Sequence, residues 1–299
     1  MNARRTQQLH THQSERFSRN RHRRLIVGLS ATLIALISWL FVLSRLSDLQ
    51  ALAITDIRVY GADPDITGNL EAAASSSIQG SYLGIFSKSD SLIYPKAAVK
   101  QAVGSSSPRL ATVNVMRNGL HGLTVSVTEK IPAAVICADL PNLDSGESGV
   151  PIDSTDCYLA DRTGFIFKQA SMASTSQDRN YDVYYAPNLQ AVPVGTFATS
   201  TNEFASVVSF VSGVKAAGLA PQGVLIKDSG EYELYLRNPS NPEGPIIVYW
   251  DTSADVSREL SDLSAFWNGI ASGSAKVAVK DPSQLEYIDI RYGSNVFYR

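Results

Sequence analysis

The chain has 299 residues, 44% of them hydrophobic and 18% charged, with a net charge of −2. This is an ordinary globular composition, and the length suits two domains better than one. The charge is uneven: residues 1–24 hold seven Arg against Glu15, a tail charge of +6, while the remainder carries −8. The Arg-rich tail is the one segment whose charge would suit nucleic acid or anionic lipid, and a topology signal accounts for it without a further partner.

From Leu25 to Leu43 the sequence reads LIVGLSATLIALISWLFVL, nineteen residues without a charge. At about 1.5 Å per residue this predicts roughly 28 Å of helix, close to the ~30 Å hydrocarbon core of a bilayer. Its hydroxyls, Ser30, Thr32 and Ser38, can bond back along the helix, and Trp39 stands near one end, where aromatic rings favour an interface. Arg21, His22, Arg23 and Arg24 abut the run. The positive-inside rule then predicts a cytoplasmic tail (residues 1–24), one transmembrane signal anchor (25–45) and an exported remainder from residue 46 on. A cleaved signal peptide competes, because Ala51-Leu52-Ala53 fits a small-x-small site. The apolar run is longer than the usual ~7–15 residues and the motif lies well past it, which favours an uncleaved anchor. His10 and His12 have no Cys or carboxylate cluster beside them to build a metal site.

The next segment, 54–130, reads strand, helix, helix, strand, strand. Ile54–Tyr60 alternates, with Ile57 and Val59 on one side, and Gly61 and Pro64 end it. Ile66–Ile78 and Leu92–Val103 carry apolar residues at helical spacing. Gly80 breaks the first and Gly104 follows the second. Leu110–Arg117 and Leu123–Glu129 alternate around Asn118-Gly119, a hairpin signal. The expected unit is a three-stranded sheet covered by two helices.

Residues 131–299 read as mostly antiparallel β with two helices. Strands are expected at Ala133–Ala138, Tyr158–Lys168, Gly223–Lys227, Tyr232–Arg237, Ile246–Trp250, Lys276–Val279 and Tyr287–Tyr292. Helices are expected at Asn202–Ala217 and Asp255–Ile270, with Thr201 and Ser253 as caps. Residues 139–156 and 238–245 are loops by composition. Cys137 and Cys157 stand at the two ends of the first loop, on strands that should pair. A disulfide there suits an exported protein. The alternative is two buried reduced thiols.

Several local patterns together resemble the FtsQ/DivIB family of bacterial cell-division proteins. Ile57-Arg-Val-Tyr-Gly61 is similar to the family's first strand. Ile78-Gln-Gly-Ser-Tyr-Leu83 resembles its Gly-x-x-Leu step. Pro108–Val115 followed by Leu123-Thr-Val-Ser-Val-Thr-Glu-Lys-Ile-Pro-Ala133 matches its paired strands closing on Glu-x-x-Pro-Ala. Tyr158-Leu-Ala-Asp-Arg-Thr-Gly-Phe-Ile-Phe167 looks like its Asp-x-x-Gly hairpin, and Tyr287-Ile-Asp-Ile-Arg-Tyr292 its C-terminal signature. Asn295 departs from the family, where Gly is usual. The resemblance implies a single transmembrane helix, a polypeptide-transport-associated (POTRA) domain at 54–130 and an FtsQ-type β domain at 131–299. It also implies a non-enzymatic, single-pass type II membrane scaffold at the division septum. Its implied partners are an FtsB/FtsL-like coiled-coil pair and other septal proteins, with no nucleic acid, small-molecule substrate, cofactor or metal. The FtsB-like strand would add along Arg291, Tyr292, Ser294, Val296, Phe297 and Tyr298. The plainer reading is that Val296–Tyr298 finishes the core.

Catalytic patterns are weak. Ser212-Gly-Val-Lys215 matches Ser-x-x-Lys, but Ser200-Thr-Asn202 precedes it, the reverse of the expected order, and no Lys-[Ser/Thr]-Gly occurs. His121 falls in a turn. A POTRA protein of polypeptide transport or outer-membrane assembly is the alternative function. It calls for tandem POTRA units or a barrel of alternating strands, and neither is legible.

Overall fold

The computed structural model describes residues 25–39, 41–42, 52–84, 86–140, 156–170, 181–189, 192–227, 230–238, 244–252, 255–273, 279, 281 and 284–299. The basic tail, His10, His12, Ser253 and most of the two expected loops lie outside the described residues, as does Lys276–Val279 except for Val279. The transmembrane expectation is corrected. Residues 25–39 and 41–42 are helical. No helix among the described residues is long and apolar enough to cross a membrane. An uncharged run states which residues tolerate lipid. It does not state how many of them join one continuous helix.

The chain divides into two compact units, one of Met1–Ser107 with Thr112–Thr128, the other of Pro108–Ala111 with Glu129–Arg299. In the first unit, β1 (Asp56–Tyr60), β5 (Gly122–Glu129) and β4 (Leu110–Asn118) form a sheet in the order β1-β5-β4. β1 runs parallel to β5, with Val59 opposite Val125. Helices α1 (Pro64–Ser77) and α2 (Lys96–Ser106) pack together. They bury Leu70, Ala74, Val99 and Val103, and the sheet buries Val113, Val115, Leu123, Val125 and Val127. Gly61 is required: its φ is +88°, and a Cβ there would lie 2.2 Å from the Val127 carbonyl oxygen. The second helix starts later than its apolar spacing predicts. Pro95 precedes it and disfavours helical backbone at Tyr94, which leaves Leu92 outside and exposed. Between the helices lies an unforeseen hairpin, β2 (Ser81–Tyr82) with β3 (Phe86–Ser87).

The second unit is built on nine strands in the order β14-β13-β12-β11-β10-β9-β6-β7-β8. They are β6 (Ala134–Cys137), β7 (Cys157–Ala160), β8 (Ile166–Gln169), β9 (Asp182–Tyr185), β10 (Pro221–Ile226), β11 (Glu231–Leu236), β12 (Ile246–Asp251), β13 (Tyr287–Asp289) and β14 (Phe297–Tyr298). Five of the eight pairings in this sheet are antiparallel, in keeping with a mostly antiparallel domain, and three are parallel, so the sheet is mixed. β9 runs parallel to both β6 and β10, and β13 runs parallel to β12. β9 has four residues and finds both partners far away in sequence, so no local pattern announced it.

Helices α3 (Thr201–Ala216) and α4 (Val256–Ala271) cover one face. Phe204, Val207, Phe210, Val211 and Val214 of α3 and Leu263, Phe266 and Ile270 of α4 share one core with Tyr232, Leu234, Val248, Trp250 and Ile288. Trp250 stacks between Phe210 at 4.2 Å and Tyr232 at 4.6 Å. The caps sit beside the expected positions. Ser200 and Glu203 form a capping box on α3, and the Asp255 side chain accepts from Ser257 N–H on α4.

On the opposite face a smaller cluster gathers Val135, Leu159, Phe167 and Tyr185 around a Cys137–Cys157 disulfide. The two cysteines are directly opposed across β6 and β7, with Cα atoms 4.0 Å apart. The Cys137 carbonyl accepts from Ala186 and the Cys157 carbonyl from Ala170, each on the far side of its strand. The pair is therefore the non-hydrogen-bonded kind, whose side chains approach closely enough to be bridged.

Candidate partner-binding edge

The nine-stranded sheet has two ends, and they are finished differently. Beyond β8 runs the segment 193–198. Ile166 N–H donates to the Thr196 carbonyl at 2.9 Å, and Gly195 N–H donates to the Ile166 carbonyl at 2.8 Å. Phe165 and Phe197 form a bridge and meet edge-on at 5.2 Å. The start of that edge, at Phe165 and Ile166, is covered. Beyond β14 no strand lies among the described residues.

β14 is short and tied at its outer end. Arg299 N–H donates to the Tyr287 carbonyl, and the Arg299 carbonyl accepts from Glu286 N–H at 2.6 Å. Alternation along the strand separates its side chains. Val296 and Tyr298 turn to the core, where the Tyr298 ring lies 4.9 Å from Phe266 of α4. Phe297 turns outward and is 52% exposed. It meets Tyr292, itself 58% exposed, edge-on at 5.6 Å. Ser294 is exposed in the Gly293 turn between them.

Arg291 is the fixed member of this group. Its guanidinium donates to both Asp289 carboxylate oxygens, at 2.9 and 2.6 Å, and to Glu231 at 2.9 Å. The Asp289 hydrogen bonds, reinforced by the Glu231 charge, raise its already high pKa. The guanidinium carbon lies 5.4 Å from the Tyr249 ring and 5.5 Å from the Tyr292 ring. Tyr249, Arg291, Tyr292 and Phe297 thus form a run of side chains in successive contact. Asp289, which alternation assigns to a wet face, is buried because this guanidinium partners it.

The six residues read from sequence therefore divide three ways. Tyr292, Ser294 and Phe297 are available to a partner, Val296 and Tyr298 complete the core, and Arg291 braces the exposed pair. Sequence reasoning missed Tyr249 and Glu231. They lie on β12 and β11, and only the sheet order brings them to the C-terminal turn.

The weak catalytic patterns are not assembled. Ser212 donates to the Val208 carbonyl, and Lys215 pairs with Asp182. His121 Nδ1 lies 3.1 Å from the Ala53 carbonyl oxygen. Among the described residues no group of three His, Cys, Asp or Glu side chains is placed to hold a metal ion. One buried acid also escaped notice. Glu259, in the first turn of α4, is fully buried, and neither of its carboxyl oxygens makes a well-formed hydrogen bond. Burial first, and then the nearby Asp251 charge, push it up to about 7. Near the covered edge Asp161 has the opposite balance. Desolvation raises its pKa, but hydrogen bonds from Lys130 and Thr163 outweigh that and hold it below the ordinary value.

No protein-family model matches this chain. No curated protein matches it either.

Proposed function

We propose that this chain is a non-enzymatic scaffold of the bacterial cell-division machinery, working outside the cytoplasm and holding septal proteins through its two folded units. The observation that carries the reading is the asymmetry of the nine-stranded sheet. One edge is closed by its own chain. The other ends on β14 beside two exposed aromatic rings braced by Arg291. Such an edge suits addition of a partner strand, and Tyr with Arg is the composition of interface hot spots. The occupant is an FtsB/FtsL-like coiled-coil pair, as the resemblance of residues 287–292 implies. The buried disulfide supports an oxidising compartment, and the β-α-α-β-β order of the first unit supports a docking domain before the sheet.

The test is co-purification of the full chain with the FtsB homologue of its own cell, against a Tyr292→Glu/Phe297→Glu chain. Equal recovery sinks the edge assignment. A fluorescent fusion then reports location: mid-cell accumulation is expected, and a uniform envelope signal would favour the transport alternative.

A further inference from the structure

The Gly-x-x-Leu step is the one sequence pattern that the proposed function leaves without a role. In the structure it is the tip of the β2–β3 hairpin. Leu83 has φ +51°, a left-handed conformation that a branched apolar residue adopts only at a cost. It is also 95% exposed. A left-handed, fully hydrated leucine adds no packing to its own fold, and residues in such sparsely populated conformations cluster at functional sites.

The surroundings indicate what. Tyr82 and Phe86 face each other across the hairpin and are each only partly buried. Lys88 is the sole charged residue from Ile78 to Ser89, and its ammonium lies 5.9 Å from the Tyr82 ring. Just beyond, Leu92 and Ile93 are 62% and 43% exposed. An apolar tip with a Tyr and a Lys at its base has the composition of a bilayer interface, where amphipathic rings and snorkelling lysines settle. The hairpin is also tied to the apolar N-terminal region. Ile54 N–H donates to the Ser89 carbonyl, Ser91 N–H donates to the Leu52 carbonyl, and Ala53 bridges Asp90. Those bonds hold the base of the hairpin ten residues after Val42, the last described residue of a helical stretch whose described side chains are all exposed. Ten residue steps reach at most about 36 Å.

We propose that the β2–β3 hairpin is a lipid-contact element: Leu83 enters the headgroup–acyl boundary of the membrane beside which the chain lies, with Tyr82 and Lys88 at headgroup level. This rests on the envelope location proposed above. It requires an apolar contact of a few side chains at the interface and no spanning segment. Lys88 favours an anionic leaflet.

The test uses the full chain. Because Cys137 and Cys157 are bonded to each other, Leu83→Cys creates the one free thiol, which takes a nitrobenzoxadiazole fluorophore. Ala72→Cys, on an exposed face of α1, is the control. With vesicles of phosphatidylglycerol and phosphatidylcholine carrying nitroxide-labelled lipid, the Leu83 probe is expected to shift to the blue and lose emission about twofold or more, and the Ala72 probe to stay in water. In a Leu83→Asn chain labelled through Leu92→Cys, quenching is expected to fall while the melting temperature holds, since Asn tolerates left-handed backbone. Equal, unquenched emission at Leu83 and Ala72 overturns the proposal. So does a shift without lipid that grows with protein concentration, which would mark a contact between copies, or a shift only on adding the coiled-coil partner. The two readings fail separately. Loss of mid-cell location in the parent chain refutes the function, whereas an unquenched Leu83 probe in a chain that still reaches mid-cell refutes the lipid contact.

Discussion

The two ends of the nine-stranded sheet are made of similar material and do opposite things. Each presents a pair of aromatic rings meeting edge-on, Phe165 with Phe197 at one end and Tyr292 with Phe297 at the other. At the β8 end the chain returns through 193–198 and satisfies the edge. At the β14 end it turns at Gly293 and leaves its aromatic pair facing water. Phe197 is itself 51% exposed, so the contrast lies in the backbone rather than the rings: Ile166 bonds outward to 195–196, and no strand lies beyond β14 among the described residues. An edge that a protein needs only for stability is closed, because an open one invites unwanted pairing.

The comparison breaks most sharply at Gly164, in the turn leading into β8. Its φ is +80°, and a Cβ there would lie 2.7 Å from the Phe204 ring at the start of α3. Gly164→Ala is expected to lose about 3 kcal/mol through strain and overpacking, read by chemical denaturation, with capture of the coiled-coil partner unchanged in the fraction that folds. The disulfide belongs to the same closed end. Replacing Cys137 and Cys157 by Ala removes a closure spanning 20 residues and is expected to cost up to about 3 kcal/mol in the chain-entropy picture, with no loss of binding at β14.

The helix behind the open end carries a pH signature. The Glu259 carboxyl rises from an ordinary 4.5 to about 7 on folding because burial penalises its charge. The fold therefore favours the protonated form. The penalty is absent below pH ~4.5, grows as pH rises to ~7 and is then constant, at most about 3 kcal/mol for such a shift. Denaturation midpoints are expected to fall between pH 5 and pH 8. Glu259→Gln should flatten that slope, and a parent chain with no slope would show that Glu259 folds without a raised pKa. The smallest effect on stability, and the one that sharpens the contrast, is at Phe297. Phe297→Ala is expected to change stability by less than about 0.5 kcal/mol yet to weaken partner binding by about 2 kcal/mol. A binding assay with unchanged affinity would return β14 to a purely structural role.

Periodicity located most of the elements. Val113/Val115 and Leu123/Val125/Val127 face the core as their alternation required, and Phe204, Val207 and Val211 mark one face of α3. Boundaries moved where a single residue overrides a pattern, as Pro95 does at α2. The transmembrane expectation is not met among the described residues, where no helix is long and apolar enough to cross a membrane. Of the candidate edge, Tyr292 and Phe297 were legible as residues, but their exposure was not. Alternation alone leaves open which face is inside, and only the Tyr298–Phe266 contact decides it. Asp289 looked wet because alternation does not show that the Arg291 guanidinium bonds its carboxylate, and the second acceptor that fixes Arg291, Glu231, lies far earlier in the chain.

What the sequence by itself determined is local: the two-part organisation, the helical and extended stretches, the glycines at forced turns and the placing of Cys137 and Cys157 at the two ends of one loop, with the choice between a disulfide and two thiols left to the structure. These depend on neighbours a few residues apart, or on strands joined by one loop. What only the tertiary structure decided is long-range. It set the mixed order of the sheet, the insertion of β9 between β6 and β10, the burial of Glu259 and the difference between a closed and an open edge. Those depend on which distant segments meet, and parallel pairing carries no sequence period of its own to announce its partner.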